Sequence, residues 1–239
     1  MATQDYSEIV ITDVVTRDVR FHTSKGKHGS DAMSPDPEYS CVYIVLVTSE
    51  RTVEGHGFTF SIGRGNEIMH LAAETLKHKI IGRSVSDVTN WDTGKDGKKY
   101  GFATLWRDLC YGSQIKWCGP EKGPVHQAAA GIINAVWDLW AKLENKPVWQ
   151  LIADMPNHVL VGCLDFRYVS DMITKEEALE ILERESEGID KRVAEMKTVG
   201  FPVSYADSVG ALVELQLHRL TVHFCCVGLY HGHGVVRIY

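Results

Sequence analysis

Nothing in this chain approaches the roughly 20 consecutive apolar residues that a bilayer-spanning helix needs, so no membrane partner is expected. Positive charge is in short supply. The 25 Lys and Arg stand against 31 Asp and Glu, a net charge of −6, which argues weakly against nucleic acid, a ligand that attracts a basic face. The opening stretch, Met1 to Val10, holds Asp5 and Glu8 and no Arg, unlike a signal peptide or a mitochondrial transit peptide. The expectation is an intracellular protein, cytoplasmic or mitochondrial, with no clear transit peptide. The six cysteines, Cys41, Cys110, Cys118, Cys163, Cys225 and Cys226, include no C-x-x-C pair. They are scattered through a chain too long to need stapling and read as reduced thiols. The Walker pattern and the full dinucleotide fingerprint are missing, as are internal repeats and low-complexity tracts. What remains, 44% hydrophobic and 23% charged, is ordinary globular composition for one or two domains.

The first third reads as β-structure. Ile9 to Val15 is rich in β-branched residues, Cys41 to Thr48 is an apolar run, and Glu54 to Phe60 alternates more loosely. Together they suggest three strands of an antiparallel meander. The polar stretch between the first two, His22 to Tyr39, is punctuated by Gly26, Gly29, Pro35 and Pro37 and reads as a long loop. Loops of that length in compact domains are usually functional or disordered. Helical periodicity follows. Ile68, Leu71, Ala72, Leu76 and Ile80 fit one stripe, opened near Asn66 and closed by Gly82. The strongest helix signal runs from about Pro124 to Glu144, with Val125, Ala129, Ile132, Val136 and Leu139 on a face widened by Ile133, Trp137 and Trp140. An apolar face that broad implies burial between layers. Lys146-Pro147 ends it, and Val148 to Ile152 begins another short element. Val159 to Leu164 is a six-residue apolar run that suggests a buried strand. Lys175 to Lys197 suggests a solvent-facing helix broken at Gly188. Beyond Gly200 charge thins out, and Val222 to Tyr230 is apolar and β-prone.

Several motifs carry chemistry, each with a plainer explanation. Gly63-Arg64-Gly65-Asn66 precedes a helix, where backbone N–H groups can hold an anion, although such a turn is more often only a turn. Lys25-Gly26-Lys27 and Lys77-His78-Lys79 have the K-x-K spacing that, on a strand, puts two amines on one face. The first lies in a loop and the second in a helix, so neither is presented that way. His218, His223, Cys225, Cys226, His231 and His233 crowd the end of the chain, in a spacing that matches no standard structural zinc site. Trp106, Trp117, Trp137, Trp140 and Trp149 are expected in the core. Asp165 and Arg167, just past an apolar run, are better candidates for a site, although a structural ion pair explains them equally well.

Taken in order, several segments carry a resemblance: Ser30-Asp31-Ala32-Met33, Asp36-Pro37-Glu38-Tyr39-Ser40, the stretch Phe60 to Glu67, Gly119-Pro120-Glu121-Lys122-Gly123, Asn134 to Lys142, and Asp165-Phe166-Arg167-Tyr168. From about Asp13 to about Val203 the chain resembles the L-fuconate dehydratase family of the enolase superfamily. The resemblance implies an α+β capping domain, a three-stranded meander plus helices, followed by a modified (β/α) barrel. It implies that the barrel carries a K-x-K base, three acidic Mg²⁺ ligands and a His acting as acid. The reaction it implies is proton abstraction alpha to a carboxylate, then loss of a β-hydroxyl as water, on an acid-sugar substrate. Two capping loops, about Ser24 to Tyr39 and Phe60 to Asn66, would close over that substrate. This makes Ser24, Asp31, Tyr39, Gly63 and Arg64, with Asp165 and Arg167, the candidate substrate-binding residues.

The match stops near Gly200-Phe201-Pro202. A barrel needs on the order of 200 residues or more, so only its start, Val159 to Leu164 as a first strand, is expected here. The domains are expected as 1–157 capping, 158–203 start of the barrel, and 204–239 a divergent tail. No catalytic residue and no metal ligand can be assigned, and no Mg²⁺ is expected to bind this chain specifically. The chain then reads as a truncated dehydratase, a carbon–oxygen lyase inactive on its own. The alternative is a non-catalytic module that pairs with full-length subunits.

Overall fold

A computed structural model describes residues 5–89, 101–164, 166 and 169–199. They fall into two units, the described residues of 5–21 with 39–187 and those of 22–38 with 188–199, each described by itself.

The larger unit begins with the β-branched runs. β1 (Ile11–Arg20), β2 (Ser40–Thr48) and β3 (Glu54–Ser61) form an antiparallel sheet in the order β1-β2-β3. The register pairs Val14 with Leu46 and Ile44 with Gly57, and an irregularity separates Ile11 from Asp13. β1 runs five residues past the expected Val15, as far as Arg20. Its polar end is tolerable because β1 is an outer strand, and the Asp18 and Arg20 side chains bond each other. Val42, Ile44 and Leu46 of the central strand are fully buried, as alternation on a one-sided sheet requires.

The helices are α1 (Asn66–Leu76, continued by a 3-10 turn, Lys77–Lys79), α2 (Val85–Thr89), α3 (Phe102–Tyr111), α4 (Pro124–Leu143), α5 (Val148–Ala153), α6 (Asn157–Gly162) and α7 (Lys175–Glu185); α1 and α4 pack on the sheet, α2, α3 and α5 pack against α4, and α6 packs with α7. α4 is the keystone. Pro124 sits in its first turn, where the missing N–H costs nothing. Ala128, Ala129, Ile132, Val136 and Leu139 are fully buried on it. Asn145, at φ +51°, turns the chain out before Pro147. Glycine decides how closely α4 lies on the sheet. A Cβ on Gly57 would stand 2.3 Å from the Gly131 carbonyl oxygen and 2.4 Å from the Ala135 nitrogen, and one on Gly55 2.3 Å from the Ala135 oxygen. The Gly-x-Gly of β3 therefore lets helix backbone meet strand backbone.

The core joins these layers: Ile11, Val14, Ile44, Leu46, Leu76, Ile80, Leu105, Leu109, Ile132 and Leu139 are all but inaccessible. The tryptophans are divided. Trp140 is buried, and Trp137 stacks on it at 5.5 Å and meets Phe102 at 4.3 Å. Trp106 packs partly buried against the core. Trp117 is 78% exposed, so the expectation of a core role fails for it.

A second correction concerns Val159 to Leu164. The expected barrel strand is helical: α6 spans Asn157–Gly162, and Leu164 follows it exposed. Pro156 starts the helix, and the N–H groups of Leu160 and Cys163 are accepted by the carbonyls of Pro156 and Val159. A parallel barrel strand satisfies its backbone only through neighbouring strands. Among the described residues none pairs with this segment, so local helical bonds satisfy it instead. α7 follows its sequence signals, with Thr174 and Glu177 forming a capping box.

The smaller unit holds a 3-10 turn (Thr23–Gly26) and α8 (Ile189–Val199), which starts after Gly188, the expected break. The tail after Val199, with its His and Cys residues, lies outside the described residues.

Candidate functional site

The second expected capping loop is built where β3 runs out. Ser40 and Ser61 face each other across the β2–β3 ladder with hydroxyls 3.1 Å apart, and Ser61 Oγ donates to the Gly63 carbonyl at 3.1 Å. The Tyr39 ring stacks on Phe60, 5.8 Å between centroids and 15° between planes. Tyr39 and Gly63 are thus held at the same corner of the sheet. Arg64 is exposed and makes no ion pair among the described residues. Gly65, at φ +104°, turns the chain into α1, a conformation costly for any residue with a side chain. Its carbonyl accepts from the Ile68 N–H at 3.0 Å and opens the helix.

Asn66, the first residue of α1, fixes that turn from beneath. It is 1% exposed, and its Nδ2 donates to the Cys41 carbonyl at 3.1 Å and to the Asp18 carboxylate at 2.5 Å. Asp18 also accepts from Arg20, Nε at 3.0 Å and Nη2 at 2.6 Å, and Arg20 reaches Glu67 at 2.9 Å. The Arg20 guanidinium, with the Asn66 amide, holds the Asp18 carboxyl below the usual carboxylate range against the opposing effect of burial. Glu67 lies in the first turn of α1, where a negative charge suits the helix dipole. This four-residue brace was not foreseen from the sequence. Its signal was there: Asp18-x-Arg20 puts both side chains on one face of a strand, and Asn66-Glu67 follows a glycine turn.

The first expected loop lies in the smaller unit. Thr23 Oγ1 donates to the Pro37 carbonyl at 2.9 Å and draws the loop's ends together, and His22 lies 3.7 Å from Glu38. Ser24 is half-buried in the 3-10 turn, its carbonyl accepting from the Lys27 N–H at 3.2 Å. Asp31 is exposed, and its Oδ1 accepts from the Met33 and Ser34 N–H groups at 2.8 and 2.6 Å, a self-braced turn. Asp165 and Arg167 lie outside the described residues.

The K-x-K pairs are spent elsewhere. Lys77 pairs with Glu74 at 2.6 Å and Lys79 with Asp108 at 3.0 Å, while Lys25 and Lys27 are exposed on their loop. Among the described residues no group of three His, Cys, Asp or Glu side chains comes together to hold a metal ion. The residues described therefore do not fit the Mg²⁺ that the resemblance implies. Cys41 is buried, which pushes its thiol up to about 11 and makes it a poor nucleophile. No helix of the described residues is long and apolar enough to cross a membrane.

A three-stranded meander under helices, ending in a braced glycine turn, is the arrangement expected of a capping domain. Residues 32–153 match the sequence profile of the mandelate racemase / muconate lactonizing enzyme N-terminal domain. The chain belongs to this family. Within it, the chain is 45% identical over 193 residues to mitochondrial enolase superfamily member 1 of Xenopus laevis, covering 80% of this chain and 41% of the relative. It is 44% identical over 207 residues to L-galactonate dehydratase of Hypocrea jecorina, covering 86% of this chain and 43% of that one. The crystal structure of human mitochondrial enolase superfamily member 1 superposes with a TM-score of 0.70 at 44% identity, over 78% of this chain and 40% of that one. The chain thus spans about two-fifths of the length of these relatives, and the fold of this family's capping domain accounts for its larger unit.

Proposed function

We propose that this chain supplies the capping part of an acid-sugar dehydratase, closing over a polyhydroxy carboxylate while a barrel performs the chemistry. The observation that carries the reading is the braced turn from Ser61 to Asn66, set in a chain 44% identical over 207 residues to an L-galactonate dehydratase. Arg64, exposed and with no ion pair among the described residues, would meet the substrate carboxylate, with the N–H groups opening α1 beside it. Gly63, whose Cβ position is open, would let backbone close over the sugar. Asp31 would accept from a substrate hydroxyl, Ser24 would hydrogen-bond another, and the Tyr39 ring would shield the site from water. Asp165 and Arg167 stay in the proposal as polar groups contributed from beyond the cap.

L-Fuconate is the 6-deoxy form of L-galactonate, so both belong to the proposed substrate class. Mg²⁺ belongs, by the resemblance, to the barrel of full-length members, where it would stabilise an enediolate. The barrel's base and ligands have no counterpart among the described residues, and the chain alone is proposed to be inactive. The name of the animal relatives supports a mitochondrial compartment. The reading as a module that pairs with full-length subunits draws on Ile62, Ile68 and Leu71, exposed at 49%, 57% and 67% around the start of α1.

The test is direct. Purified chain is incubated with Mg²⁺ and either L-fuconate or L-galactonate, and the 2-keto acid product is assayed. No product is expected, and turnover that persists through purification to constant specific activity would contradict the proposal of inactivity.

A further inference from the structure

The Ser30-Asp31-Ala32-Met33 motif ends in an apolar side chain that the candidate site does not use. The methionines of this chain divide by burial. Met69 on α1 and Met155 after α5 are buried in the core. Met33 is 91% exposed, and Met172, just before α7, is 82% exposed.

The turn that carries Met33 is held without its side chain. Asp31 Oδ1 accepts from the Met33 and Ser34 N–H groups at 2.8 and 2.6 Å, and the Asp31 N–H donates to the Ser34 carbonyl at 3.1 Å. All three bonds join Asp31 to backbone groups, the usual economy of an Asx turn. A chemical change confined to the Met33 thioether breaks none of them.

A thioether is a soft, polarizable group. Its reaction with a peroxide is a balanced two-electron oxygen transfer. A sulfur lone pair attacks one oxygen of hydrogen peroxide, the S–O bond forms as the O–O bond breaks, and the other oxygen leaves as water. Sulfur is oxidised to the sulfoxide and the peroxide is reduced. At a core methionine such as Met69 the oxidant must penetrate packed side chains, and the new polar oxygen is buried without a donor. Neither obstacle exists at Met33.

We propose that Met33 is a site of reversible modification by peroxide, which switches the polarity of the first expected capping loop while its turn stays folded. The assignment stands apart from the capping reading, which bears only on what the new oxygen meets. On that reading, the sulfoxide places a strong hydrogen-bond acceptor on a loop that closes over the substrate.

The experiment treats the full chain with hydrogen peroxide and follows the sulfoxide at each methionine over time by peptide mass spectrometry, which keeps cysteine oxidation apart. Met33 is expected to oxidise at least about tenfold faster than Met69 and Met155, and within about threefold of Met172. With Met33 fully oxidised, the urea midpoint should match that of the untreated chain. Methionine sulfoxide reductases, one for each epimer, should restore the thioether. Met33→Leu should lose this modification and leave the oxidation rates of the other methionines unchanged. The proposal is overturned if Met33 oxidises no faster than Met69, if the midpoint falls on treatment in the parent but not in Met33→Leu, or if the reductases leave the sulfoxide in place.

Discussion

Replacing Gly57 with Ala should separate α4 from the sheet and cost more than a single methyl group suggests. The new Cβ would lie 2.3 Å from the Gly131 oxygen and 2.4 Å from the Ala135 nitrogen. Both are backbone atoms of a helix that cannot rotate away. Ordinary carbon contacts begin near 3.5 Å, so α4 must retreat by roughly 1 Å. Overpacking of this kind costs about 1–3 kcal/mol, and the entropy gained on losing a glycine returns only about 0.4–1 kcal/mol. Taking the middle of each range, the net expectation is a loss of about 1.3 kcal/mol. With a urea m-value of about 2 kcal/mol/M, the midpoint should fall by about 0.7 M. Gly63→Ala is the control, because nothing lies within 4 Å of its Cβ position. Its midpoint should stay within about 0.3 M of the parent, the range of ordinary surface substitutions. Urea unfolding followed by far-ultraviolet circular dichroism measures both. Equal midpoints for the two variants would refute the close helix–strand contact.

Two further outcomes follow from the packing and the charges. Trp137→Ala should cost about 2 kcal/mol, below the ~3–5 kcal/mol of a fully buried ring, because Trp137 is only half-buried against Phe102 and Trp140; an unchanged denaturation midpoint would remove it from the core. The Asp18 carboxyl is held low by Arg20, so its contribution is present above the unfolded carboxylate pKa near ~3.9 and is lost as pH falls through the lower folded value. Asp18→Asn should be less stable than the parent at pH 7, by under about 1 kcal/mol for so exposed a pair, and the gap should close toward pH 3; a gap that stays constant with pH would contradict the brace.

Much of the fold was legible because its signals are local. A β-branched run, an apolar run and a looser alternation gave the three strands, and the apolar stripe from Val125 to Leu143 gave α4 almost to the residue. The charged stretch from Lys175 to Lys197, broken at Gly188, marked α7 and α8. Val159 to Leu164 misled because six apolar residues read alike as a buried strand or a short helix, and only the partners available to the backbone decide between them. Trp117 misled because composition says what a ring prefers, not whether the chain brings it to the core. At the candidate site, the turn at Gly63–Asn66 was legible as a glycine turn before a helix. The brace beneath it was not, because Asp18 and Asn66 are 48 residues apart and meet only through the β1–α1 packing.

The most direct test of the account exchanges residues 1–157 of this chain for the corresponding segment of the Hypocrea jecorina L-galactonate dehydratase. Steady-state dehydration of L-galactonate is then measured with and without Arg64→Ala. The account predicts an active chimera, with kcat/KM within about tenfold of the parent enzyme, and a further loss of about tenfold or more, on the scale of one charge-assisted hydrogen bond, when Arg64 is removed. A folded chimera with no activity, or one indifferent to Arg64, would contradict it.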